Sequence, residues 1–256
     1  MRVCVSILVA LAAFSGPARS LEVWNRVVIY EVHYYMPGFD AHNEYIELAN
    51  VGGTVAFLDG AVITDEGDDG MPEGVFRFPG RHGGHDISIA PGEILLIAVD
   101  AVEGEIEPDL SMADWEFRHP SDDNDNPYVP NLIHCGGSDC DIALANSGDG
   151  LVLATGVDTT AAIDCSTVVD GVNWDAAADP VPISWLDCYD PEHAPGVPQG
   201  NSLGRCPPGV DHDSSSACDW FMMVPTPGEH NLPSYPTDCS TPVTGATWGT
   251  VKALYR

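Results

Sequence analysis

Two apolar runs near the start of the chain, Val27–Tyr35 and Tyr45–Asn50, flank the turn-forming stretch MPGFDAHN at 36–43. The first run is rich in Val, Ile and Tyr, side chains that fit a pleated, half-buried surface. In the second, Tyr45, Glu47 and Ala49 point one way and Ile46, Leu48 and Asn50 the other, because successive strand residues face opposite sides. The pattern predicts an opening β-hairpin with a long loop. Downstream, Val55–Thr64 holds two short apolar runs split by the turn signal Asp59-Gly60. Gly74–Pro79 alternates Val75 and Arg77 against Phe76 and Phe78. After the Pro91-Gly92 turn, Glu93–Val99 is almost continuously apolar, the signature of a strand buried on both faces. No long amphipathic helix is predicted, and Ala101–Phe117 holds at most a short turn. Short strands with turn signals about every 8–12 residues predict an all-β sandwich.

Two stretches interrupt this pattern. Residues 101–140 separate the strand ending at Val99 from a hairpin starting near Ile142, and so long a connection in a compact domain is usually functional or disordered. Residues 174–200 form a second insertion. At the start of the chain, Arg2, the apolar run Val3–Phe14 and Ala18-Arg19-Ser20 form the pattern of a cleavable secretory signal over residues 1–20. The expectation is an exported protein, secreted or held at the cell surface, with its domain over 21–231. No later run approaches the ~18 apolar residues of a membrane-spanning helix. Pro233, Pro236 and Pro242 mark residues 232–256 as a linker and short tail. The ending TWGTVKALYR is similar to short C-terminal tails of exported bacterial proteins and reads as a sorting or attachment signal. A terminal element packed on the domain is the equal alternative.

Charge narrows the function classes. Without residues 1–20, 7 basic residues (9 less Arg2 and Arg19) stand against 39 acidic ones, a formal net charge of −32. Such a surface repels phosphate backbones, which argues against nucleic acid as a partner. Most of the acid excess reads as a solubilising coat. The sharper reading is calcium, which takes several oxygen ligands. Asp122, Asp123, Asn124 and Asp125 place such oxygens at alternate positions of a loop, but the central Gly and closing Glu of an EF-hand are missing. Asp65–Asp69 and Asp211-His212-Asp213 are weaker clusters. No cofactor is required by this reading; calcium is the candidate at this loop.

Seven cysteines follow the signal, all in the C-terminal half, and export favours disulfides. Pairing of sequence neighbours gives Cys135–Cys140, Cys165–Cys188 and Cys206–Cys218, with Cys239 free or shared between chains; other pairings stay open. Zinc at Cys135 and Cys140 beside His134 is the disfavoured alternative. His82 and His85 flank Gly83-Gly84 without the Glu of an H-E-x-x-H helix. Asn146-Ser147-Gly148 sits in a predicted tight hairpin rather than a nucleophile elbow.

Several segments carry a family resemblance. I-Y-E-V-H-Y at 29–34 and E-Y-I-E-L-A-N at 44–50 resemble the first two strands of a lamin tail domain in its bacterial secreted form. F-L-D-G at 57–60, A-P-G-E-I-L-L-I at 90–97 and L-A-N-S-G-D-G-L-V-L at 144–153 follow in the family's order. G-N-S-L-G-R at 200–205, W-F at 220–221 and T-P-G-E-H-N at 226–231 resemble its closing strands. The resemblance implies an immunoglobulin-like β-sandwich, here with long loop insertions, and little about activity, because one fold hosts many functions. Within these motifs Glu44, Glu47 and Arg205 suggest catalysis at first sight. A strand carboxylate that becomes buried needs a partner, however, and arginines are few. The expectation is a structural ion pair between Arg205 and either Glu47 or Glu31.

Together these features predict a non-catalytic, exported binding or scaffolding module whose acidic loops meet an extracellular protein or glycan. A metal-dependent hydrolase with its site in 101–140 is the first alternative. A carbohydrate-binding module is the second, with Trp115, Tyr128 and Trp185 as candidate exposed aromatics.

Overall fold

The structure is a computed structural model that describes residues 27–36, 43–66, 72–83, 85–101, 109–117, 126–136, 142–155, 163–175, 194–205 and 219–231. Within them the regular secondary structure is all β. In chain order the strands are β1 (Val27–His33), β2 (Tyr45–Asn50), β3 (Ala56–Phe57), β4 (Val62–Glu66), β5 (Pro72–Arg77), β6 (Arg81–His82), β7 (His85–Asp86) and β8 (Ser88–Ile89). They continue as β9 (Ile94–Ala98), β10 (Trp115–Phe117), β11 (Asn131–Gly136), β12 (Gly148–Ala154), β13 (Val168–Asp175), β14 (Ala194–Pro195), β15 (Ser202–Arg205) and β16 (Trp220–Met223).

The opening hairpin forms as the alternation requires. β1 and β2 pair antiparallel from Val27 opposite Asn50 to His33 opposite Tyr45, with a bulge between Ile29 and Glu31. A bulge sets two residues of one strand against one of its partner. Val27, Ile29, Val32 and Tyr34 therefore face the main core, while Tyr30 and Glu31 both turn to the other face. β9 is buried almost throughout, as its continuous apolar run predicts. The Asp59-Gly60 and Pro91-Gly92 signals are both turns, closed by Ala61 N donating to Leu58 O (3.0 Å) and Glu93 N to Ala90 O (3.0 Å).

The immunoglobulin-like sandwich is not what forms. Twelve strands join in one sheet, in the order β14-β13-β12-β4-β5-β11-β10-β9-β2-β1-β15-β16; β3-β8 and β6-β7 are separate two-stranded pairs. The sheet curls until β1 lies against β13 and β14 against β16, so it is barrel-like and nearly closed. The reason lies in the 101–140 insertion. Its strand β10 pairs in parallel with β9 (Trp115 opposite Ile97) and with β11 (Glu116 opposite Asn131). β10 thereby fuses two half-sheets that would otherwise face each other as separate layers. The tight hairpin expected at 144–153 is also absent: Asn146-Ser147 is a turn, but β12 pairs with β4 and β13.

The inside of the curl is the main core. Trp174 stacks on Tyr34 with ring centroids 4.7 Å apart, and Phe78 meets Trp115 edge-on at 5.6 Å. Edge-on and offset ring pairs add to the stabilisation from burial alone. The outer face of β2 and β9 is covered as well: Tyr45, Leu96 and Ala98 pack beneath Leu110, Ala113 and Val129 of the insertion.

Candidate functional site

The densest polar chemistry among the described residues lies on the outer face of β1 and β2, beneath residues 226–231, the closing segment of the described fold. The bulge brings Glu31 opposite Glu47, and both carboxylates are fully buried. Tyr45 Oη donates to Glu31 Oε1 at 2.5 Å. Further donors come from the turn Thr226-Pro227-Gly228-Glu229. Pro at its second position and Gly at its third, with φ +76°, are the requirements of a type II turn, closed by Glu229 N donating to Thr226 O (2.9 Å). Thr226 N donates to Glu31 Oε1 (3.2 Å), Thr226 Oγ1 lies 2.9 Å from Glu31 Oε2, and Gly228 N donates to Glu47 Oε1 (2.6 Å). Asn231 fastens the far side, its N donating to Tyr30 Oη and its Nδ2 to the carbonyls of Tyr30 and Arg205.

Burial dominates the electrostatics of this cluster. It pushes the Glu31 carboxyl up, opposed by the side chains of Ser202, Tyr45 and Thr226 and by the Thr226 N–H. It pushes Glu47 well up, helped by the charge of Glu31 and only partly opposed by the Gly228 N–H. Tyr45 is raised in turn by burial and by both carboxylates. His33, buried beside Tyr45 with Nδ1 3.2 Å from Asn43 O, is pushed down to about 4 by burial and is neutral at pH 7.

A second cluster holds the seam where the sheet closes on itself. Arg205 Nη2 pairs with Asp170 Oδ1 at 2.8 Å, and Nη1 with Asp219 Oδ2 at 3.4 Å. Its Nε donates to Ile29 O at 2.9 Å, and its guanidinium carbon lies 4.5 Å from the centre of the Trp220 ring. Asp170 Oδ2 also accepts Ile29 N at 2.7 Å. One arginine and one aspartate thus tie β1, β13 and β15 together. The expected pairing of Arg205 with Glu31 or Glu47 is corrected: the guanidinium lies on the seam, whereas the glutamates turn to the closing segment. The aspartates were missed, although Asp170 carries the same signal as Glu47, a lone acid in an apolar strand (VVDGVNW).

Other expected site residues scatter. Asp122, Asp123, Asn124 and Asp125 lie outside the described residues, as do Cys140, Cys188, Cys206, Cys218, Cys239 and Trp185. Cys135 belongs to β11, its side chain outside the description. Cys165 sits in an exposed turn and is disulfide-bonded. Asp65, part of an acidic cluster in sequence, is buried and accepts N–H donors from Gly74 and Ala143, both at 3.0 Å. Trp115, a candidate exposed aromatic, is a core residue, whereas Tyr128 is 92% exposed. Among the described residues no three His, Cys, Asp or Glu side chains group to hold a metal, and no helix is long and apolar enough to cross a membrane.

No family model matches the chain, and no curated protein does. Among solved structures it is similar to the crystal structure of a DUF4876 family protein from Bacteroides thetaiotaomicron, at 16% identity and a TM-score of 0.59, over 82% of this chain and 75% of that one. At that identity the likeness concerns the fold.

Proposed function

We propose that the chain is an exported, non-catalytic binding or scaffolding domain. One observation carries this reading: the polar groups that look most like catalytic machinery hold the fold's own backbone. Glu31 and Glu47 accept the N–H groups of the closing turn, Arg205 and Asp170 bond both backbone groups of Ile29, and His33 faces the Asn43 carbonyl. All are buried, whereas a general acid or base must come within hydrogen-bond reach of a substrate proton. Among the described residues, the two most exposed large apolar side chains, Met112 and Tyr128, lie instead on the insertion.

The test has two arms. Purified full-length exported chain is assayed on ester, phosphoester, glycoside and peptide substrates, with and without calcium or zinc, and no turnover is expected. In parallel, a photo-crosslinker placed on the insertion of the protein on its producing cells is expected to capture a discrete macromolecule. Saturable turnover that disappears in Asp123→Ala with Asp125→Ala would instead establish the hydrolase.

A further inference from the structure

Two turns of the insertion stand side by side on the outer face of the sheet, and each carries one large apolar side chain at its tip. In the first, Ala113 N donates to Leu110 O (3.0 Å), placing Ser111 and Met112 at the corner. In the second, Val129 N donates to Asn126 O (3.1 Å), placing Pro127 and Tyr128 at the corner. Met112 is 86% exposed and Tyr128 92%, each at the third position of its turn. The two corners are locked together by Asn126. Its Nδ2 reaches Ser111 O (3.2 Å) and Ala101 O (2.8 Å), and its Oδ1 accepts Tyr128 N (3.0 Å). Beneath the corners, Leu110, Ala113 and Val129 are buried on Tyr45, Leu96 and Ala98. The turns are therefore anchored from below, and their tips are not part of that packing.

We infer that Met112 and Tyr128 are a preformed docking pair for a cationic polypeptide segment of a partner protein, one that presents Lys or Arg beside an apolar side chain. This deepens the binding-module reading and rests on it. Exposed Met and Tyr are the side chains enriched where proteins meet, and holding them on anchored turns reduces the ordering cost of association. Charge selects the partner. Asp109 and Asp114 flank Met112 in exposed positions, Asp109 Oδ1 accepting Ser111 N (3.0 Å) and Asp114 Oδ2 accepting Leu96 N (2.9 Å); partial burial first, and the charge of Glu93 after it, raise the Asp114 carboxyl. The chain as a whole carries a formal −30. A second copy of this chain meets like charge here, as does an acidic partner, whereas a basic segment is attracted and can lay a guanidinium on the Tyr128 ring.

The test is fluorescence anisotropy with the full exported chain and two labelled peptides, one alternating Arg with Leu and the other Glu with Leu. The parent is expected to bind the Arg peptide, more weakly as salt rises, and to ignore the Glu peptide. Met112→Ser with Tyr128→Ser is expected to lose about tenfold or more in affinity with an unchanged melting temperature, because neither side chain is buried. Equal binding by parent and double variant would overturn this surface and leave the binding-module reading standing, since cations would then be captured elsewhere on the acidic coat. Failure of the parent to bind the Arg peptide, or equal binding of the Glu peptide, would overturn the cationic partner. A glycan or a second copy whose binding is lost in the double variant would overturn it in that ligand's favour. The module reading itself fails only in the turnover and crosslinking arms.

Discussion

At the residue scale, the buried charges behave in opposite ways. Arg205 is fully buried between Asp170 and Asp219. Arg205→Ala leaves two buried carboxylates without their cation, a loss on the order of 3–5 kcal/mol. Urea unfolding checks this; a stability equal to the parent's would remove the seam argument. Glu47 responds to pH in a direction unusual for a carboxylate. Its folded value is pushed well above the ordinary 4.5, so between that value and the folded one the native state holds more protons than the unfolded chain. Stability must then fall as pH rises through this window. Glu47→Gln cannot ionise, so it is expected to gain on the parent as urea melts are taken upward from pH about 4.5. His33 works against acid instead. Its value is lowered to about 4 from 6.5, so its contribution is present above 6.5 and is lost as pH falls toward 4. That loss is about 3 kcal/mol, and an NMR titration of the imidazole locates it: a midpoint near 6.5 would contradict the burial argument.

At the element scale, the closing segment depends on two glycines for different reasons. Gly228 holds φ +76° in the type II turn that donates to Glu47. Gly204, in β15, is a matter of space: a Cβ there would sit 2.6 Å from Asn231 Nδ2 and 2.9 Å from Met223 Sδ. Gly204→Ala is thus expected to push Asn231 off the carbonyls of Tyr30 and Arg205, loosening the 226–231 segment. Hydrogen exchange reads this as faster exchange at Gly228 and Asn231 amides, and unchanged protection there would contradict it. The buried glutamates would lose their backbone donors in the same event, so the cost exceeds that of the clash alone.

At the scale of the whole molecule, closure runs through β10. A three-residue strand in the middle of the insertion joins the half-sheet ending in β9 to the half-sheet beginning with β11. Trp115 is its anchor, packed edge-on against Phe78. Trp115→Ala is expected to cost about 3–5 kcal/mol and to lower amide protection in β9 and β11 together. Loss confined to one of the two would mean that the halves are not coupled through this strand. The two ends of the same sheet are tied independently, by Arg205 and Asp170 across β1, β13 and β15, so the Trp115 and Arg205 effects should be close to additive.

What the sequence determined by itself was local. Period-two alternation marked β2 and the face that carries Tyr45, Glu47 and Ala49; a continuous apolar run marked β9; and Pro-Gly and Asp-Gly pairs marked the turns, because strand pleat and turn dihedrals are set by neighbouring residues. The need of a buried strand carboxylate for a partner was legible too, but not which partner. Only the tertiary structure decided that Arg205 meets Asp170 and Asp219 while Glu31 and Glu47 meet backbone N–H groups, since these contacts join residues 14 to 195 positions apart. It likewise decided that one curled sheet replaces a two-layer sandwich. Both arrangements bury the same alternating faces and use the same turns, so periodicity cannot separate them. The difference rests on the lateral pairing of the three residues Trp115–Phe117, and lateral pairing is a property of the assembled sheet.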